Sequence, residues 1–143
     1  FMKNRLVNNP ILLVEDNPLD IDLTIRAFKS SNLVNPIEVA RDGDEALKYI
    51  KKWDSGAAIP VVILLDLKLP KVDGLDVLKT MKEHPIYKTI PIVVLTSSSE
   101  NSDIEAAYKL GVNSYIVKPV NFDNFLKVAG QIELYWCVIN KLP

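Results

Sequence analysis

The sequence predicts a single doubly wound α/β domain, and three observations support this fold class. Five short apolar runs alternate with five amphipathic segments, the order that builds a parallel sheet through right-handed crossovers. Four of the runs are continuously apolar, which is typical of parallel strands covered on both faces. No internal repeat or low-complexity linker interrupts the alternation. A three-layer sandwich, with helices on both faces of the sheet, is therefore expected.

The first strand, at residues 10–17, leads into a helix with a clear start signal. Asn17 is expected as the N-cap, with Pro18 in the first helical position, Asp20 in the first turn and an end near Ser31. The apolar residues expected to share its face are Leu19, Leu23 and Ala27.

A short second strand over Ile37–Ala40 precedes the second helix. Asp42 and Glu45 are spaced as a capping box, which predicts a helix from this point to about Lys52. The residues from 53 to 60 are expected to form a connecting loop before the third strand.

Three more helices follow the later strands. The third is expected over about 73–83. Ser102 and Glu105 form a second capping-box pattern, which predicts the start of the fourth helix, and Gly111 is expected to close it. Asn121 is expected to open the fifth helix, whose predicted inward stripe is Phe122, Phe125, Ala129, Ile132 and Trp136.

Composition excludes several classes of function. The net charge is −1 and the lysines are scattered, so neither nucleic acid nor an anionic membrane is an expected partner. No apolar run reaches the roughly 18 residues of a membrane span. The single cysteine, Cys137, cannot form an internal disulfide, and a cytoplasmic location is expected. The expected domain is 10–137, between an N-terminal extension at 1–9 and a tail at 138–143.

Polar residues stand at the ends of four apolar runs. Glu15 and Asp16 end the first run, Asp66 the third, Thr96 the fourth and Lys118 the fifth. Because parallel strands bring their carboxyl ends to one edge of a sheet, these side chains are expected to converge. Three carboxylates, a hydroxyl and an ammonium together predict a divalent-metal phosphoryl site centred on Asp66.

These motifs, in this order, resemble the receiver domain of response regulators, the phosphoacceptor half of bacterial two-component signalling. The similarity rests on the acidic pair at 15–16, the Leu-Pro-Lys-Val-Asp-Gly turn at 69–74 after a strand-end aspartate, a strand-end threonine, and the Lys-Pro at 118–119. It extends from about Pro10 to about Trp136. The resemblance implies a flavodoxin-like sheet with strand order 2-1-3-4-5.

The resemblance also implies the chemistry of the site. Asp66 is similar to the aspartate that accepts a phosphoryl group from the phosphohistidine of a sensor histidine kinase. Asp16 would then bind Mg²⁺ or Mn²⁺ directly, Glu15 would hold the ion through water, and the backbone carbonyl of Lys68 would be another ligand. An oxygen-only ligand set without histidine or cysteine fits such hard cations.

Four further residues take roles from the resemblance. Thr96 and Lys118 match the hydroxyl and ammonium that contact the phosphoryl oxygens, and Tyr115 matches an aromatic that switches rotamer together with Thr96. Pro119 matches a proline that follows a cis peptide bond with Lys118. His84 is expected at a helix C-terminus, without a catalytic role.

Apolar residues beyond the inward stripe of the last helix predict an interface. The resemblance implies a homodimer through the fourth helix, fifth strand and fifth helix, and an apolar tail packed on its own domain remains the alternative. The predicted interface residues are Val128, Tyr135, Val138 and Ile139. Extra residues at 53–59, at 84–89 and at the C-terminus resemble small receivers that partner bacterial phytochrome kinases. With no effector domain expected after the fifth helix, a stand-alone receiver is predicted.

Other functions remain possible alternatives from the sequence. An aspartyl-phosphate phosphohydrolase would place a second acid two residues after Asp66, where this chain has Lys68. A nucleotide or flavin binder is disfavoured because no glycine-rich phosphate loop follows the first strand. A degenerate receiver that serves only as a scaffold is disfavoured by the complete set of acids.

Overall fold

One parallel sheet of five strands forms the centre of the molecule, and the computed structural model describes residues 9–31, 33–118 and 121–133. The strands are β1 (Ile11–Val14), β2 (Ile37–Ala40), β3 (Val62–Leu65), β4 (Ile92–Thr96) and β5 (Ser114–Val117). Their spatial order is β2-β1-β3-β4-β5, which confirms the order implied by the resemblance. In the register of the sheet, Val14 lies opposite both Ala40 and Leu65, so the first three strands end at the same level.

Helices cover both faces of the sheet, as the predicted sandwich requires. They are α1 (Pro18–Ser30), α2 (Gly43–Asp54), α3 (Gly74–Glu83), α4 (Asn101–Lys109) and α5 (Phe122–Ile132). Apolar residues of α1 and α5 pack on one face, and those of α2, α3 and α4 pack on the other. A 3₁₀ turn, Tyr87–Thr89, precedes β4. Within the described ranges, every helix is too short or too polar to cross a membrane.

Three of the predicted helix starts are confirmed by their hydrogen bonds. The side chains of Asn17, Asp42 and Asn121 each accept a backbone N–H from the first turn of their helix, at 2.9, 2.8 and 2.8 Å. The carboxylate of Glu45 accepts from the backbone of Arg41, at 3.1 Å, and not from the N-cap as in an ideal capping box. Local sequence therefore fixes these boundaries.

The predicted capping box of the fourth helix, Ser102 with Glu105, is wrong. Glu100 is the N-cap of α4, and its side chain makes no cap hydrogen bond. The hydroxyl of Ser98 instead links the N-cap residue to the first turn, since it accepts from the Glu100 N–H at 3.4 Å and donates to Asp103 at 2.5 Å. The side-chain hydrogen bonds at this helix start thus run through a residue of the preceding loop, which a spacing rule cannot detect.

Three apolar residues lie differently from the prediction. Trp53 belongs to the last turn of α2 and is buried, whereas a loop was expected there. Leu19 and Phe122 sit in the first turns of their helices and are exposed. The face that α1 buries is instead made of Ile21, Thr24, Ala27 and Phe28.

Val128 does not contribute an exposed apolar surface, contrary to the predicted interface. Val128 is only 8% exposed, and it packs in the core against one face of the sheet with Ile11, Leu13 and Val93. The helix turns this side chain inward together with the predicted stripe. The other predicted interface residues and the C-terminal end of the predicted domain, at 137, lie outside the described part of the chain, which stops at residue 133.

Candidate functional site

The ends of the strands place the polar side chains at one edge of the sheet. The backbone N–H of Glu15 donates to the last carbonyl of β2 at 2.9 Å, and that of Asp66 donates to the last carbonyl of β1 at 3.0 Å. The N–H of Lys118 donates to the last carbonyl of β4 at 2.7 Å. The hydrogen-bond ladder therefore continues one residue past the strands and fixes the backbone from which these side chains extend.

The Lys118 ammonium lies at the centre of a cluster of carboxylates. Its Nζ is 2.9 Å from an oxygen of Asp20, 3.2 Å from an oxygen of Asp66, and also pairs with Glu15. The lysine side chain is only 9% exposed, so these are largely buried ion pairs. Asp20 was not predicted as a site residue. Its position in the first turn of α1, next to the sheet edge, was the available signal.

A possible metal group shares two of these carboxylates. Oxygens of Glu15, Asp16 and Asp66 all lie within 4.8 Å of one another. Asp16 is exposed, so the group opens to solvent on one side. A donor set of carboxylate oxygens fits a hard cation such as Mg²⁺ or Mn²⁺ and disfavours zinc. The structure thus brings together the three acids that the sequence analysis selected as ligands.

Burial changes the ionisation of two groups in the cluster. It raises the pKa of the Glu15 carboxyl to about 7, against the opposing hydrogen bond from Lys118, and the charge of Asp66 raises it further. Burial also lowers the pKa of Lys118, but the hydrogen bonds that its ammonium donates to Asp20 and Glu15 outweigh that effect and hold the pKa above the ordinary value. Lys118 therefore stays protonated and acts as the counter-charge of the cluster.

Both oxygens of Asp66 have hydrogen-bond partners. Oδ1 accepts from the backbone N–H of Lys68 at 3.0 Å, and Oδ2 accepts from the Lys118 ammonium. The side chain of Lys68 extends toward Asp103, whose carboxylate is 3.7 Å away. Asp66 is thus held in one orientation at the strand end.

Thr96 and Tyr115 meet on the loop that follows β4. Thr96 is fully buried, and its Oγ1 accepts from the backbone N–H of Ser98 at 3.4 Å. The Tyr115 hydroxyl donates to the carbonyl of Ser98 at 2.9 Å, and burial raises the pKa of this tyrosine. Asp103 accepts from the Ser98 hydroxyl and had not been predicted. The two predicted switch residues are therefore linked through one loop residue.

Gly74 allows α3 to approach the chain directly behind Asp66. Its N–H donates to the carbonyl of Leu67 at 3.0 Å. A Cβ at this position would lie 2.3 Å from Leu67 Cα and 2.5 Å from the carbonyl oxygen of Asp66, both backbone atoms. Any larger residue would have to displace the strand end. The glycine of the 69–74 turn thus fixes the geometry behind Asp66.

Several predicted residues are not part of this cluster. His84 caps the C-terminal end of α3 and stacks on Tyr87, far along the helix from the carboxyl edge. Pro119, and with it the predicted cis peptide bond after Lys118, lies outside the described residues. The same holds for three predicted interface residues: Tyr135, Val138 and Ile139.

Comparison with known proteins gives a consistent result. The family model of the response regulator receiver domain matches residues 11–129. The probable methanogenesis regulatory protein FilR2 of Methanothrix harundinacea is 42% identical over 134 residues, covering 93% of this chain and 86% of that protein. Response regulator Rcp1 of Synechocystis is 38% identical over 135 residues, covering 93% of this chain and 92% of Rcp1.

Solved structures are also similar. The phosphorylated cyanobacterial phytochrome response regulator RcpA superposes with a TM-score of 0.85 at 40% identity, covering 95% of this chain and 99% of RcpA. The Mn²⁺-bound form of Rcp1 superposes with a TM-score of 0.83, covering 94% of this chain and 99% of that chain. The similarity to these proteins, in sequence and in structure, therefore extends over nearly the whole chain.

Proposed function

The chain belongs to the response regulator receiver domain family, and we propose that it accepts a phosphoryl group on Asp66 from the phosphohistidine of a sensor histidine kinase. The observation that carries this proposal is the position of Asp66, a buried strand-end carboxylate that lies both beside the Lys118 ammonium and in the group of three acids. The similarity to phosphorylated RcpA supports it.

In the proposed reaction, a carboxylate oxygen of Asp66 attacks phosphorus in line with the leaving nitrogen. The new O–P bond forms as the P–N bond breaks, and the electron pair of that bond stays with the kinase imidazole. Charge on the three equatorial oxygens is stabilised by the Lys118 ammonium and the Thr96 hydroxyl. Both groups are held at the same sheet edge as Asp66, which supplies the positioning that phosphoryl transfer needs.

The acids near Asp66 are proposed to hold Mg²⁺ or Mn²⁺. Asp16 and Asp66 would bind the ion directly, Glu15 through water, and the Lys68 backbone carbonyl would be a further ligand. When bound, the cation would favour the ionised form of the crowded carboxylates and neutralise phosphoryl charge. The Mn²⁺-bound form of Rcp1 supports this assignment.

We also propose that the protein signals by a change in the surface formed by α4, β5 and α5. Phosphorylation would act on Thr96 and through Ser98 on Tyr115, which lies on β5. Each of these three elements carries an exposed large apolar residue, namely Tyr108, Val117 and Phe122, and these residues support a homodimer contact there.

Because RcpA is a phytochrome response regulator, we further propose a bacterial phytochrome kinase in the cytoplasm as the phosphoryl donor.

This chain is proposed to signal and not to act on a separate substrate. A phosphohydrolase with an aspartyl intermediate is disfavoured because Lys68 stands where its second acid would be. A scaffold without phosphorylation is disfavoured because the three acids lie together, Lys118 pairs with Asp66, and Thr96 ends the neighbouring strand β4.

The test is phosphorylation by a small donor, read by intact mass. The full chain is incubated with acetyl phosphate and Mg²⁺, with and without EDTA, as wild type, as Asp66→Asn, and as Asp76→Asn, an exposed acid on α3. Wild type and Asp76→Asn are expected to gain one phosphoryl group only without EDTA, and Asp66→Asn to gain none. An adduct on Asp66→Asn equal to wild type, or on no protein, would remove Asp66 from this role.

A further inference from the structure

Among the residues that the structure describes, Asp20 is the one carboxylate paired with Lys118 that does not belong to the group of possible metal ligands. We propose that Asp20 is a positioning residue, which holds the Lys118 ammonium at the site while Glu15 and Asp66 bind a divalent cation. This inference rests on the proposed function of the same site. It assigns a role to a residue of α1 that neither the sequence motifs nor the metal group includes.

Local structure holds Asp20 in place. It lies in the first turn of α1, where its N–H donates to the side chain of Asn17 at 3.3 Å. Its carbonyl accepts from the Thr24 hydroxyl at 2.7 Å. The Asp20 side chain is 23% exposed, more than those of the other two partners of Lys118. Asp20 therefore lies at the rim of the cluster, where its carboxylate pays a smaller desolvation cost than those of Glu15 and Asp66.

Two positive charges compete for the same carboxylates. The ammonium pairs with Glu15 and Asp66, which are also two of the three possible ligands of the cation. If Lys118 had only these partners, metal binding would leave a largely buried ammonium without a counter-charge. Asp20 gives the ammonium a partner that metal binding does not remove, at 2.9 Å. Lys118 can therefore stay at the site beside the cation.

A matched control lies on the same helix. Asp22 is two residues further along α1, its side chain is 50% exposed, and it pairs with Arg26 at 3.0 Å. Asp20→Asn and Asp22→Asn make the same change in net charge on the same element. Only the first removes a partner of Lys118, so a difference between the two variants reports the contact and not the overall charge.

Magnesium affinity is measured by isothermal titration calorimetry on the full chain, in wild type and in both variants. Asp20→Asn is expected to weaken Mg²⁺ binding about tenfold, as loss of a charge-assisted hydrogen bond predicts. Asp22→Asn is expected to stay within about twofold of wild type, because its charge is exposed and screened. Asp20→Glu, which keeps the carboxylate, is expected to recover most of the loss. Equal affinities for the two asparagine variants would overturn the proposal.

A second comparison tests whether Asp20 acts through Lys118. In a Lys118→Met background, Asp20→Asn is expected to have no larger effect on Mg²⁺ affinity than Asp22→Asn has. A further tenfold loss in that background would show that Asp20 attracts the cation itself, and would overturn the positioning role. If Lys118→Met does not fold, Asp20→Glu decides instead, and a loss as large as that of Asp20→Asn contradicts the proposal.

Phosphorylation separates this inference from the proposed function. With acetyl phosphate, Asp20→Asn is expected to label several times more slowly than Asp22→Asn at subsaturating Mg²⁺, and to approach it at saturating Mg²⁺. If wild type does not label at all, the proposed function fails, whereas the calorimetry still decides the role of Asp20. If wild type labels and the two variants label alike at every Mg²⁺ concentration, the inference alone fails.

Discussion

The two edges of the sheet are stabilised in opposite ways. At the carboxyl edge, a buried ammonium holds three carboxylates. At the amino edge, where α2 and α3 end, an aromatic cluster of Trp53, Tyr87 and His84 packs, with ring centroids 5.1 and 4.5 Å apart. The Tyr87 hydroxyl in this cluster donates a hydrogen bond to Asp54 at 2.6 Å. Within the described residues, the Trp53 indole N–H is the one buried side-chain group without a partner.

The difference separates stability from function. Buried ion pairs contribute little net stability, because desolvation offsets their attraction, but they place charge where chemistry needs it. Packed aromatic rings contribute stability and provide no reactive group. Substitutions at the amino edge should therefore change the free energy of unfolding without changing phosphorylation, whereas substitutions in the charge cluster should change both.

The largest expected loss of stability comes from Trp53→Ala. Removing the indole from between Tyr49 and Tyr87 should lower the free energy of unfolding by about 4 kcal/mol, as for other large aromatic truncations. Labelling by acetyl phosphate should not change at a temperature where the variant is folded. Chemical denaturation and intact mass measure the two quantities.

Trp53→Phe is the control for that substitution. It keeps a ring and removes the indole N–H that has no partner, so the change in stability should stay within about 1 kcal/mol. Slower labelling in either folded variant would mean that the two edges are coupled through the sheet.

Lys118→Met should have the second largest effect on stability. Without the ammonium, Glu15, Asp20 and Asp66 share a partly buried site with no counter-charge. The free energy of unfolding in EDTA should therefore fall by about 3 kcal/mol. Mg²⁺ should restore part of this loss, because the cation replaces the missing positive charge at two of these acids. Denaturation curves with EDTA and with Mg²⁺ test this, and a loss that is independent of Mg²⁺ would contradict the shared use of the carboxylates.

Gly74→Ala should cost about 2 kcal/mol, because the new Cβ meets backbone atoms that cannot rotate away. Phosphorylation should slow as well, since the displaced atoms include the carbonyl of Asp66. Gly130→Ala on α5 is the matched control, because nothing lies within 4 Å of a Cβ added there. If Gly74→Ala behaves like Gly130→Ala in both measurements, the close approach of α3 has no role at the site.

The smallest effect is expected for helix caps. Asn17→Ala and Asn121→Ala each remove a side-chain cap and should cost about 1 kcal/mol. Only Asn17 lies beside the acids, and its side chain binds the backbone N–H of Asp20 and none of the charged groups, so both variants should label at similar rates at saturating Mg²⁺. A clear loss of labelling for Asn17→Ala alone would mean that the start of α1 itself positions the cluster.

Sequence predicted the fold class, the sheet and most element boundaries, because these depend on local signals. Continuous apolar runs and capping residues such as Asn17 and Asn121 act within a few residues of their own position. The start of α4 was missed since the side-chain hydrogen bonds there run through Ser98, outside the helix. Trp53 was assigned to a loop because nothing nearby in sequence indicates its packing against Tyr87.

Part of the site was also predictable. Acids at the ends of apolar runs can be recognised from their position in the sequence, and the resemblance to the family supplied their roles. Asp20 was missed because an acid in a first turn is ordinary helix chemistry, and its contact with Lys118 joins residues 98 positions apart. Asp103 was missed for the same reason, since its partners Lys68 and Ser98 come from other segments.

The most direct test of the carboxyl edge is a crystal structure of the chain with Mn²⁺, using anomalous scattering to locate the ion. We expect one strong peak within bonding distance of Asp16 and Asp66, with Glu15 facing its water shell and Lys118 still bound to Asp20. A peak elsewhere, with these acids pointing away from one another, would contradict both the metal site and the proposed role of Asp66.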